Sequence, residues 1–89
     1  MDKEIELVCG ALARFLKEKN KRYGNSALSP VGIWSRLDSE AGLLVRMDDK
    51  LSRIRNSPEW RKNDVVDHIG YEILLCIKRG WLDFDDLID

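Results

Sequence analysis

The sequence predicts an all-α fold, a small bundle of three main helices followed by a short C-terminal segment. Apolar residues recur at intervals of three and four along three separate segments, which is the spacing of one helix face. Turn-forming residues separate these segments, and no stretch alternates apolar and polar residues as a half-buried strand does. The 89 residues suffice for one domain, residues 1–89, and we expect homo-oligomerisation to complete its core.

The first predicted helix runs from about Lys3 to Asn20. Gly24 and Asn25 tolerate the left-handed backbone that ends helices, so the chain should leave the helix before them. Helical spacing places six residues in the apolar stripe of this helix, namely Ile5, Val8, Cys9, Leu12, Phe15 and Leu16.

The second predicted helix follows a turn-rich connection from Tyr23 to Asp38 and runs to about Arg55. Asp38 or Ser39 is expected to cap it. Trp34 in the connection and Trp60 beyond the helix are expected to be packing residues, because large aromatic rings are usually buried.

The third predicted helix runs from about Asn63 to Arg79 and ends at Gly80. The start of this helical region is open between two positions. Ser57 could cap a helix that begins at Pro58, or residues 61–63 could form a loop before a later start. Gly70 should allow another backbone to approach closely. The acidic and apolar tail, 81–89, is expected to form a short helix that covers the core or a neighbouring subunit.

Composition excludes several classes of protein. A formal net charge of −1 gives no broad attraction to a nucleic-acid polymer. The charged start of the chain lacks the apolar run of a signal peptide, and no window approaches the length of a membrane span. Cys9 and Cys76 are far apart in apolar stripes, which predicts buried reduced thiols rather than a metal site. We therefore expect a cytoplasmic protein.

Two polar helix faces carry most of the candidate site residues. Helical spacing groups the side chains of Arg46, Asp49, Lys50 and Arg53 on the second helix, and those of Asp64, Asp67 and Tyr71 on the third. If these helices pack antiparallel, the carboxylates of Asp49, Asp64 and Asp67 could converge and hold Mg²⁺ against a phosphorylated ligand. The alternative is a ladder of ion pairs in which Arg46 and Arg53 neutralise the carboxylates.

The segment after the first helix supplies a second set of candidates, Arg22, Tyr23, Asn25 and Ser26. A cation, an aromatic ring and hydrogen-bonding side chains could hold a nucleotide through phosphate contacts and stacking. The same residues also make a helix stop and a turn, so this segment is weak evidence by itself.

Taken together, residues 19–26, 46–53 and 64–71 resemble a phage and bacterial helical domain associated with nucleotide modification, a compact relative of the MazG-type all-α nucleotide pyrophosphatases. The resemblance spans about Lys17 to Ile77. It implies a helical fold, an oligomer and a nucleotide or nucleotide-derived ligand. MazG-type enzymes hold magnesium with Glu-x-x-Glu on one helix and Glu-x-x-Asp on the next.

This chain departs from that pattern. Asp64-x-x-Asp67 matches the second element with a conservative change, but Arg46-x-x-Asp49 places a cation where the first carboxylate belongs. Replacing an anionic ligand by a cation should weaken metal binding and strengthen direct phosphate binding.

Two functions follow as hypotheses. In the first, the protein binds a nucleotide without cleaving it, with phosphate contacts from Arg22, Arg46, Lys50 and Arg53. In the second, it is a Mg²⁺-dependent nucleoside triphosphate pyrophosphohydrolase whose metal is held by Asp49, Asp64 and Asp67. A structural interaction module is a third reading, and the sequence assigns no catalytic residue.

Overall fold

A computed structural model describes residues 1–30, 32 and 35–88 of the chain. It confirms the predicted all-α fold, because the described residues form helices and no strand. The prediction for Trp34 lies outside these residues. The elements in chain order are α1 (Asp2–Tyr23), α2 (Ser39–Asn56), α3 (Lys62–Lys78) and a short 3-10 helix (Asp85–Leu87).

The helix ends follow local chemistry. Helix α1 ends at Gly24, whose left-handed backbone (φ 57°) lets its N–H donate to the carbonyl of Asn20. Asp38 caps α2, since its carboxylate accepts a hydrogen bond of 2.8 Å from the backbone N–H of Ala41. Helix α3 begins at Lys62, so Ser57 and the proline after it belong to the connection rather than to a new helix.

Helices α2 and α3 form an antiparallel hairpin. The guanidinium of Arg79, just after α3, donates to the carboxylate of Glu40 at the start of α2. That hydrogen bond raises the pKa of Arg79. At the other end of the hairpin, Lys50 lies beside Asp64. Leu43, fully buried on α2, marks the centre of the small core.

Helix α1 packs on α3 only through its C-terminal half. Leu16 lies against Gly70, and Lys19 lies near Asp67, so the two helices run antiparallel. The N-terminal half of α1 extends past this contact, and Ile5 and Val8 are exposed. The predicted apolar stripe of α1 is therefore packed only in its C-terminal part. Helical periodicity identifies the apolar face of a helix, but it does not show how much of that face another helix covers.

Three further expectations are corrected. Cys9 is exposed rather than buried, because it lies on the unpacked half of α1, and Cys76 is half-buried. Trp60 is exposed in the connection between α2 and α3. The tail contains a short helix, as expected, but it is exposed along 81–88 and does not cover the core of its own chain; the covering of a neighbouring subunit stays a prediction.

Among the described residues, no helix combines the length and the apolar character needed to cross a membrane.

A candidate ligand pocket between the helices

A cavity of about 300 Å³ opens where α1, α2, α3 and the turn after α1 meet. Pockets that bind small molecules span roughly 300–1,000 Å³. We call it the α1–α3 pocket. Its lining consists of Phe15, Leu16, Lys19, Asn20, Tyr23, Ser26, Ala27, Arg46, Asp67, Gly70, Tyr71 and Leu74.

One side of the pocket is apolar and aromatic. Phe15 and Leu16 come from α1 and Leu74 from α3, and these residues are half-buried. Tyr23, at the end of α1, and Tyr71, on α3, add two phenol rings. Rings of this kind can stack on a planar base whatever its identity, and their hydroxyl groups can still reach polar partners.

Gly70 determines how closely α1 approaches α3. A Cβ atom at this position would lie 2.8 Å from Cδ2 of Leu16, closer than non-bonded carbon atoms allow. The group that approaches Gly70 closely is thus the side chain of Leu16 and not the backbone that the sequence analysis expects. The missing side chain allows Leu16 to form the floor of the pocket.

Two cationic side chains line the pocket, one with an ion-pair partner among the described residues and one without. The ammonium of Lys19 lies 5.1 Å from the centre of the Phe15 ring and 3.8 Å from a carboxylate oxygen of Asp67. Arg46 is exposed and forms no ion pair with any residue that the structure describes. A guanidinium without an internal partner is well suited to bind a phosphate through two parallel hydrogen bonds.

Behind the pocket lies a cluster of charges formed by Asp64, Lys50 and Asp67, which we call the carboxylate–ammonium cluster. The Lys50 ammonium is 3.0 Å from Asp67 Oδ2 and 3.8 Å from Asp64 Oδ1. Asp64 is only 1% exposed and Lys50 13%. Oδ1 of Asp64 accepts no hydrogen bond from any described residue, although Arg61 lies 3.8 Å from Oδ2. The Lys50 ammonium thus lies between the two carboxylates, and Arg61 and Lys19 each form an ion pair with one of them.

The predicted site residues fall into three groups. Five line the α1–α3 pocket: Tyr23, Ser26, Arg46, Asp67 and Tyr71. Two lie behind it, Lys50 and Asp64. Four lie elsewhere on the surface: Arg22, which pairs with Glu18, Asn25 in the turn after α1, and Asp49 and Arg53 on α2.

The magnesium ligands predicted from the sequence do not come together as a set of three. In the part of the chain that the structure describes, no group of three or more His, Cys, Asp or Glu side chains is placed to hold a metal ion. Asp49 is exposed, and the Lys50 ammonium already lies between Asp64 and Asp67. This donor set suits an ammonium better than Mg²⁺, and the magnesium site stays a prediction.

Several pocket residues were missed as site candidates. Helical spacing predicts Phe15 and Leu16 as residues of the core stripe, and it predicts no role for Lys19 in the site. The sequence does contain a signal for Lys19. It follows Leu16 by three residues and precedes Tyr23 by four, so the three side chains share one face of α1. A lysine within an apolar stripe predicts a polar opening beside the core.

We expect Gly42→Ala to stabilise the fold and Gly70→Ala not to stabilise it. Gly42 lies inside α2 with nothing within 4 Å of an added Cβ, so alanine should stabilise the fold by about 0.5–1 kcal/mol. At Gly70 the new methyl group must displace Leu16, which should cancel that gain and narrow the pocket. Urea unfolding measures both variants, and an equal gain at Gly70 would show that the contact is not tight.

No protein-family model matches the chain, and neither the curated proteins nor the solved structures gave a match.

Proposed function

We propose that the protein binds a nucleotide or a nucleotide-derived small molecule in the α1–α3 pocket and does not cleave it. The observation that supports this proposal is the meeting of three distant segments in one cavity. Tyr23 and Ser26 follow α1, Arg46 comes from α2, and Asp67 and Tyr71 come from α3. The sequence motifs in these three segments are the ones that predict a nucleotide ligand.

The pocket offers a separate partner for each part of such a ligand. Arg46 and Lys19 supply the positive charge that a phosphate needs, and a contact to Arg46 breaks no internal ion pair. Tyr71 and Tyr23 supply rings for stacking on the base. Asp67 can accept hydrogen bonds from a sugar hydroxyl or an exocyclic amine, because a carboxylate has several acceptor positions.

The carboxylate–ammonium cluster supports the same proposal. Lys50 holds Asp67 by one oxygen at 3.0 Å, while Lys19 lies 3.8 Å from the other oxygen. Asp67 is therefore oriented before any ligand arrives. A site whose polar groups are already fixed loses less conformational entropy on binding.

In the cell, such a protein would sequester a nucleotide signal or serve a nucleotide-modification pathway. A cytoplasmic location suits that role, in the host cytoplasm if the chain is phage-encoded. The pocket residues are suited to bind a phosphate and a planar ring. They define the class of ligand but do not identify which base it carries.

Calorimetry with matched ligands tests the proposal. Nucleoside mono-, di- and triphosphates and cyclic nucleotides are titrated into the protein, each beside its unphosphorylated nucleoside. We expect at least one nucleotide to bind about tenfold or more tightly than its nucleoside, because charge-assisted hydrogen bonds contribute about 1.5–3 kcal/mol. Absence of binding across the panel, with and without Mg²⁺, would refute the proposal.

A second candidate function, Mg²⁺-dependent hydrolysis of the nucleotide, is favoured by one observation. The buried Oδ1 of Asp64 accepts no hydrogen bond from the described residues, so an acceptor is available beside Asp67. The nearby Lys50 ammonium argues against a second cation there. Chromatography of the nucleotide after long incubation with Mg²⁺ separates the two functions: hydrolysis predicts products that Asp67→Asn abolishes, and binding alone predicts unchanged nucleotide.

A further inference from the structure

The N-terminal half of α1 carries an apolar face that nothing in the described chain covers. Ile5, Val8, Cys9 and Leu12 form this face, which we call the α1 stripe. Val8 is 63% exposed, Ile5 and Cys9 are also exposed, and Leu12 is half-buried. By helical spacing the stripe continues the line of Leu16, which is covered by α3. The same face is therefore packed at one end and bare at the other.

The chain as a whole exposes more surface than a monomer of its mass should. Its accessible area is 7620 Å², whereas a folded monomer of 10.3 kDa is expected to expose about 5,400 Å². Its radius of gyration is 14.6 Å, against about 12 Å for a compact domain of this length. A stable interface buries about 800 Å² on each partner. The excess area is large enough for such an interface.

The charges along α1 indicate which partner fits. Residues 2–6 contain three carboxylates and one ammonium, whereas residues 14–22 contain five cations and one carboxylate. Two antiparallel copies of α1 whose stripes cover each other place the acidic end of each, 2–6, against 11–15 of the other, which contains Arg14 and is followed by Lys17. The helix dipoles favour the same direction. A surface whose two ends carry opposite charge is complementary to itself, which is the condition for a two-fold symmetric dimer.

We propose that the α1 stripe binds a second copy of this chain, with the two α1 helices antiparallel about a two-fold axis near Val8 and Cys9. Ile5 of each copy then meets Leu12 of the other, and the four apolar side chains of each stripe become covered. This dimer forms without a ligand, so it stands or falls separately from nucleotide binding.

Native mass spectrometry and sedimentation of the full chain test the dimer. At micromolar concentration we expect twice the chain mass of 10.3 kDa. Val8→Asp should raise the dimer dissociation constant by about a hundredfold, because each interface would then bury two unpaired carboxylates. Leu7→Asp is the matched control: Leu7 is equally exposed but lies on the opposite side of α1, so the dimer should persist.

Disulfide cross-linking tests the direction of the helices in a background without the native cysteines. Chains carrying Ile5→Cys and chains carrying Leu12→Cys are oxidised separately and as a mixture. We expect the mixture to give the most cross-linked dimer, because an antiparallel pair brings position 5 against position 12. A monomeric native chain, a dimer that Val8→Asp leaves intact, or cross-links only between like positions would overturn the proposal.

Discussion

Replacing Lys50 by methionine is expected to destabilise the fold by about 3–5 kcal/mol, the usual cost of removing one partner from a buried ion pair. Methionine preserves most of the apolar stem but removes the ammonium that lies 3.8 Å from Asp64 and 3.0 Å from Asp67. Asp64 is 1% exposed, and the one ion pair that it keeps among the described residues is with Arg61 at 3.8 Å, whose side chain is 63% exposed. Two carboxylates would then repel each other in a site of low polarity.

Urea unfolding followed by circular dichroism measures this loss. Lys62→Met at the exposed start of α3 is the control and should change stability by less than about 0.5 kcal/mol. Adding Asp64→Asn to Lys50→Met should recover part of the loss, since it removes the stranded buried charge. If Lys50→Met unfolds at the same urea concentration as the native chain, the cluster does not stabilise the α2–α3 hairpin.

Replacing Arg46 by glutamine is expected to weaken nucleotide binding by about tenfold or more while leaving the fold unchanged. The side chain lines the α1–α3 pocket, is exposed and has no ion-pair partner among the described residues. Its removal therefore costs contacts to the phosphate and breaks no ion pair among the described residues.

Arg53→Gln provides the matched control. Arg53 lies two turns further along α2, is also exposed, and is not part of the pocket lining. The sequence predicts phosphate contacts for both arginines, but in the structure only Arg46 lines the α1–α3 pocket. Calorimetry with any nucleotide that binds should show a loss for Arg46→Gln alone. Equal losses for both variants would mean that the positive charge of α2 attracts the ligand without a defined site.

The number of helices and most of their ends could be predicted from the sequence, because periodicity and capping are local properties. The cap at Asp38 and the helix stop at Gly24 depend on residues within four positions of each. Helix packing depends on distant residues. The bare half of α1 shows this limit, since the stripe from Ile5 to Leu16 has one regular spacing although only part of it meets α3.

The candidate site shows the same division. Helical spacing placed Lys50 on a polar face with Arg46 and Asp49, which is correct locally. Spacing could not show that the Lys50 side chain would be nearly buried against the carboxylates of α3, because a lysine stem packs along apolar surface while its ammonium reaches a distant partner. Asp67 was placed correctly in the site, but its partners Lys50 and Lys19 become evident only from the helix arrangement.

The most direct test of the central claim is an NMR titration of the isotope-labelled protein with the tightest nucleotide of the panel. The account predicts that backbone amide signals shift in three segments, 15–27, around Arg46 and 67–74, because these line the α1–α3 pocket. Signals around Ser52 and Arg55, which border a second, shallower cavity on α2, should stay in place. Shifts confined to that second cavity, or spread evenly over the basic surface, would contradict nucleotide binding in the α1–α3 pocket.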